Sequence, residues 1–205
     1  MNIVSDLSKW IKTKFQPSQK DEDSSMEYKI LILGEHEVGK TSVCNRFIMN
    51  EFNLEIKPTK ESECYTKNIQ FFEEKLKIYI VDVDTNVMNT NHSYLYTDVK
   101  GAIVLYDVTK HKSFEKIDTW VVDMRQNISN KIPILIVGNK NDLSFLKCVH
   151  EIELKEKASS LNCDYMETSC TDADSVDKAI KFLVAKMYYL DLPENKQNYL
   201  KNYLS

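Results

Sequence analysis

A chain of 205 residues has the length of one domain with modest extensions, and an apolar share of 42% beside 28% charged residues is that of an ordinary globular protein. The formal charge of −4 and a pI near 5.7 leave no basic footprint, which argues against a nucleic-acid partner. Five cysteines, an odd number with no C-x-x-C pair, fit a reduced compartment better than a disulfide framework or a zinc site, and no signal peptide or membrane-length apolar run is legible, so a cytoplasmic location is expected.

Residues 1–15 place Val4, Leu7, Trp10, Ile11 and Phe15 near one helical face, with Lys9, Lys12 and Lys14 around it. Such a basic amphipathic segment can make weak contact with a membrane surface; packing on the domain or on a partner is the alternative. Residues 16–26 read as a polar linker, 27–191 as the domain and 192–205 as a tail.

Within the domain, strands are predicted at 28–33, 64–72, 75–82, 102–108, 133–139 and 164–169, and helices at 40–50, 113–128, 150–161 and from a cap near Asp174 to just before Pro193. The unbroken apolar runs IVLY and ILIV are those of strands covered on both faces. The strands at 64–72 and 75–82 are separated by too few residues for a crossover, so that pair is predicted antiparallel. Alternation of strand and helix elsewhere predicts an α/β fold with a mostly parallel sheet.

Only four glycines occur, and two of them, Gly34 and Gly39, frame the stretch GEHEVGKTS, which fits the phosphate-loop spacing G-x-x-x-x-G-K-[ST] between a strand and a helix. Gly34, Glu35, His36, Glu37, Val38 and Gly39 would cradle phosphate with backbone N–H groups. Lys40 would reach the β- and γ-phosphates, Thr41 would ligate Mg2+, and Ser42 follows in the same helical turn. Two acids stand inside the loop. Either His36 and Glu37 project into solvent, or Glu37 disfavours a γ-phosphate and weakens binding.

The second motif is NKND, Asn139 to Asp142, at the end of the strand PILIVG. The Asp142 carboxylate can accept two parallel hydrogen bonds from N1–H and N2–H of guanine, whereas adenine offers no such edge. Lys140 can lie along the base, and Asn139 can tie this loop to the phosphate loop. TSC at 168–170 ends the last strand, where backbone N–H groups of Ser169 and Cys170 can meet the guanine oxygen. Both main motifs fall at carboxyl ends of strands, where ligands bind in open α/β sheets.

These residues, with YDVTKHKSFEKIDTW and ETSC, resemble the Ras superfamily of small GTPases, and within it the Rab branch most closely. The resemblance implies a P-loop NTPase (Ras-like) fold with six strands, one of them antiparallel, and helices on both faces. It also implies GTP/GDP binding with Mg2+ and switching between effector-binding states in vesicle traffic, effectors and regulators meeting residues near 50–70 and 83–100. By the same resemblance, KPTKE puts Thr59 where the family closes a threonine over Mg2+ and the γ-phosphate, and Asp82 would hold a water on the metal. The family's D-x-x-G-Q reads here as DVDTN, so Thr85 replaces the glycine and Asn86 the glutamine that orients the attacking water. Catalysis would rest on Lys40, Thr59 and Asn86. A weak GTPase switch and a catalytically dead scaffold both remain open on these residues. No cysteine follows Cys170, so prenylation is not expected, and Cys170 itself stands where the family usually has alanine.

Overall fold

The computed structural model describes residues 26–53, 62–71, 74–84, 93–129, 131–195 and 197. The N-terminal segment, most of the linker, Thr59, Thr85, Asn86 and most of the tail lie outside them. Six strands form one sheet: β1 (Met26–Leu33), β2 (Glu63–Phe71), β3 (Glu74–Asp82), β4 (Val99–Asp107), β5 (Ile134–Asn139) and β6 (Asp164–Glu167), in the order β2-β3-β1-β4-β5-β6. Every neighbouring pair is parallel except β2 with β3, which run antiparallel from Phe71↔Glu74 to Glu63↔Asp82.

Burial follows position in the sheet. β5 is buried throughout and β4 at every residue but Lys100, because helices cover both faces. β2 lies at the edge, and its exposed and partly exposed residues alternate along its length. Against one face pack α1 (Lys40–Met49) through Val43, Cys44 and Phe47, and the long α6 (Ala173–Asp191) through Ile180, Leu183 and Met187. Against the other face lie α2 (Ser93–Tyr96), α3 (His111–Glu115), α4 (Ile117–Asn127) and α5 (Glu151–Ser160), with Phe114, Trp120, Val121, Met124 and Leu154 inward. Each such apolar side chain contributes about 1.5–3 kcal/mol on burial, so both layers hold the sheet in place beneath the loops at its end.

The differences from the sequence expectation are local. The helix expected at 113–128 is two helices meeting at Lys116. Ser113 explains the break: its hydroxyl accepts from Asp107 N–H at 3.0 Å and donates to Lys110 O at 2.7 Å, which fixes α3 to the end of β4 before α4 sets off. β6 ends at Glu167 rather than 169: Thr168 N–H still completes the ladder at Gly138 O, but Thr168 O is taken by Asn141 N–H, beyond the end of β5, and the pairing stops there. β4 starts at Val99, not 102, and its pairing with β1 skips Lys100, Lys29 facing Val99 and Ile30 facing Gly101. The cap expected near Asp174 is Asp172, whose carboxylate accepts from Asp174 N–H. The short helix α2 had no counterpart in the predicted elements. Among the described residues no helix is long and apolar enough to cross a membrane.

Candidate functional site

The carboxyl ends of β1, β3, β4, β5 and β6 bring five loops to one end of the sheet. The loop after β1 is possible only with glycine at its two ends. Gly34 has φ +141° and Gly39 φ +97°, and a Cβ would strike the Leu105 carbonyl at the first and the Asn139 amide nitrogen at the second. Gly39 gives α1 no side-chain cap, so the first N–H groups of this helix point at the loop unclaimed by a cap.

Lys40 folds back across the loop. Its Nζ donates to Gly34 O at 2.8 Å and Glu35 O at 3.0 Å, and the side chain is buried. Burial lowers its pKa, and Asp82, Asp84 and Glu35 oppose that shift. Thr41 Oγ1 donates to Asp82 Oδ2 at 2.5 Å at the end of β3. Asp82 is fully buried and its Oδ1 has no hydrogen-bond partner. Burial raises its pKa, against the Thr41 hydrogen bond and the charge of Lys40.

A hydroxyl beside a buried carboxylate with one oxygen unclaimed is a donor set that fits Mg2+, a hard cation that takes one or two carboxylates and completes its shell with waters and phosphate oxygens. No cluster of three or more His, Cys, Asp or Glu side chains suited to a metal occurs among the described residues. Ser42 lies next in the first turn of α1.

The base-side loop is tied to the phosphate loop by two side chains. Asn139, buried at the end of β5, donates from Nδ2 to Val38 O at 2.9 Å, and its Oδ1 accepts from Thr168 Oγ1 at 3.3 Å. Lys140, at φ +65°, donates to Glu37 O at 2.7 Å and pairs with Asp107 Oδ2 at 2.7 Å. Burial alone would raise the pKa of Asp107, but Lys140 and two bonds from Thr109 outweigh it, and the net shift is downward. Asp142 is exposed at the rim, its Oδ1 accepting from Ser169 Oγ at 2.5 Å. Ser169 Oγ also accepts from Thr171 N–H, so the serine sets the position of the carboxylate.

His36 and Glu37 are both exposed, as the first of the two readings of the loop's acids expected. Cys170 is buried with its Sγ 3.7 Å from Asn139 Oδ1, and burial pushes the thiol up to about 11, so it packs rather than reacts. Two residues of the site, Asp107 and Arg46, were missed by sequence reasoning. Asp107 ends β4 on the same sheet end, which its place after an apolar run could have suggested. Arg46 donates from Nε to Cys170 O at 2.7 Å across 124 residues of sequence, and nothing local signals that.

A strand, a glycine-framed loop with an inward lysine, a helix and a second Asn-Lys-x-Asp loop braced against it define a P-loop nucleotide-binding domain. The profile of the Ras family matches residues 29–189, and the chain belongs to that family. It is 33% identical over 162 residues to the GTP-binding protein ypt3 of Schizosaccharomyces pombe, spanning 78% of this chain and 76% of that protein. To the Ras-related protein RABA1g of Arabidopsis thaliana it is 34% identical over 169 residues, 82% of this chain and 78% of the relative. To the Ras-related protein Rab-11A of Dictyostelium discoideum the identity is 32% over 164 residues, 80% and 77%. It is thus a Rab-like small GTP-binding protein by family.

Proposed function

We propose that this chain binds GTP and GDP at the end of the sheet and acts as a guanine-nucleotide-dependent switch in vesicle traffic or signalling, with slow hydrolysis. The observation that supports this best is the double brace between the two loops, Asn139 to Val38 and Lys140 to Glu37. It holds a guanine-reading carboxylate and a phosphate cradle at a fixed separation, which is what a nucleotide spanning both requires.

In this reading Asp142 accepts from guanine N1–H and N2–H, the backbone of Ser169 and Cys170 meets the guanine oxygen, and Lys140 lies along the base. Residues 34–39 and the N-terminus of α1 take the phosphates, with Lys40 on the β- and γ-groups. Thr41, Thr59 and Asp82 hold Mg2+, which when bound neutralises charge on the phosphates. Asn86 is the residue left to orient the attacking water. Its side chain is one methylene shorter than glutamine, and a water displaced by about 1 Å can cost about 100-fold in rate. Effectors and regulators would meet residues near 50–70 and 83–100, and residues 1–15 would supply weak membrane contact on the cytoplasmic side of an internal membrane.

The competing reading is a catalytically dead scaffold that keeps the nucleotide, favoured by Thr85 and Asn86 in DVDTN. Single-turnover hydrolysis of bound GTP with Mg2+ separates the two. A slow rate above the protein-free control supports the switch, and tight binding with a rate equal to that control leaves only the scaffold. The nucleotide released on denaturing the purified protein tests the binding itself: release of GDP or GTP is expected, and release of adenine nucleotide would refute the base assignment.

A further inference from the structure

Glu37 is one of the two acids of the phosphate loop, with Glu35, whose charge opposes a polyanionic ligand. It sits at φ +62°, a left-handed conformation that favours glycine, so a carboxylate is held here despite backbone strain. Its side chain is 77% exposed, and its Oε2 accepts from Lys110 Nζ at 2.8 Å, a residue 73 positions away at the start of α3. The pair belongs to a closed ring. Lys110 N–H donates to Asp107 O at 2.9 Å, the Asp107 carboxylate pairs with Lys140, and Lys140 Nζ returns to Glu37 O. The backbone that carries Lys110 is therefore fixed to the same aspartate that fixes Lys140. The hydrogen bond and charge of Lys110 hold the Glu37 carboxyl below its ordinary range, with smaller contributions from Lys140 and His36.

We propose that Lys110 is the counter-charge that allows an acid in this phosphate loop, so that Glu37 and Lys110 enter nucleotide affinity as a neutral pair. The inference rests on the guanine-nucleotide reading above. An ion pair this exposed contributes little to folding stability, so its role is sought in the ligand. A phosphate cradled by residues 34–39 lies within a Debye length of Glu37, about 8 Å at physiological ionic strength. Removing Lys110 uncovers a full negative charge there, and each further charge on the ligand increases the repulsion. Lys140 does not substitute, since its ammonium is engaged by the buried Asp107 carboxylate.

The test is a double-mutant cycle on dissociation constants of fluorescent GDP and a non-hydrolysable GTP analogue, with Mg2+, at low and high salt. Lys110→Met is expected to weaken GTP-analogue binding about two- to fivefold and GDP binding less. Glu37→Gln is expected to tighten the GTP analogue, and the double variant to rescue the Lys110→Met loss, all differences shrinking at high salt. Circular dichroism melts of the variants separate binding from folding. A Lys110→Met loss that persists in the double variant, that is equal for both nucleotides, or that is absent at low salt overturns the counter-charge. If the unsubstituted chain binds no guanine nucleotide, the parent reading fails and takes this one with it, a result distinguishable from the first three.

Discussion

Asn139→Ala removes the brace that joins the two halves of the site, and its cost can be worked from the contacts. Asn139 is 1% exposed, and its amide satisfies the carbonyl of Val38 at 2.9 Å while its oxygen takes the Thr168 hydroxyl at 3.3 Å. Alanine leaves the Val38 carbonyl without its donor, a loss of about 1–3 kcal/mol, and the longer Thr168 contact adds about 0.5–1 kcal/mol. With about 2 kcal/mol as the central value and a urea dependence of about 2 kcal/mol per molar, the unfolding midpoint should fall by about 1 M. Asn139→Asp is the informative companion. It keeps the shape but offers no donor to Val38 and buries a charge, so it should cost at least as much. Equilibrium urea unfolding followed by tryptophan fluorescence reads both, and faster release of bound GDP should accompany them. Midpoints within about 0.3 M of the unsubstituted protein for both variants would refute the brace.

Asp142→Asn presents an N–H donor where guanine needs an acceptor, so preference should move toward xanthine nucleotides; unchanged guanine affinity in a competition assay would refute the base assignment. Gly39→Ala places a methyl on the Asn139 amide at φ +97°, and a loss of about 2 kcal/mol or more should lower the melting temperature by about 4–8 °C; an unchanged melt would show the loop to be slack. Thiol labelling at pH 8 should modify the exposed Cys64 and Cys148 first and leave Cys170, whose thiol sits at about 11, untouched until unfolding. Labelling of Cys170 as fast as Cys148, read by peptide mass spectrometry, would mean that the base loop opens readily.

What the sequence made legible was local. GEHEVGKT and NKND are contiguous, so their spacing carries their geometry, and the central strands β4 and β5 could be read from apolar runs that burial on both faces requires. The antiparallel β2–β3 pair followed from a connection too short to cross over. Apart from the tie of Asn139 to the phosphate loop, the supports of the site were not legible, because they join residues far apart: Arg46 to Cys170, Lys140 to Asp107 and Lys110 to Glu37 obey no periodicity. The same holds for the division of the predicted 113–128 helix, which depends on Ser113 reaching the end of β4. Residue types at an element's end decide these contacts, and periodicity describes only its middle.

The posture of Lys40 has a consequence for how the empty and filled protein relate. Two of the three ammonium hydrogens are already directed at Gly34 O and Glu35 O, and the side chain is buried. Most of its dehydration is therefore a cost of folding, not of binding, and an arriving phosphate meets a cation already largely stripped of water. The unliganded chain bears that cost alone, so nucleotide should act as part of the fold, raising thermal stability in proportion to the logarithm of its concentration. Lys40→Met should invert the relation, giving an empty protein that is easier to keep folded and a loop that phosphate no longer stabilises.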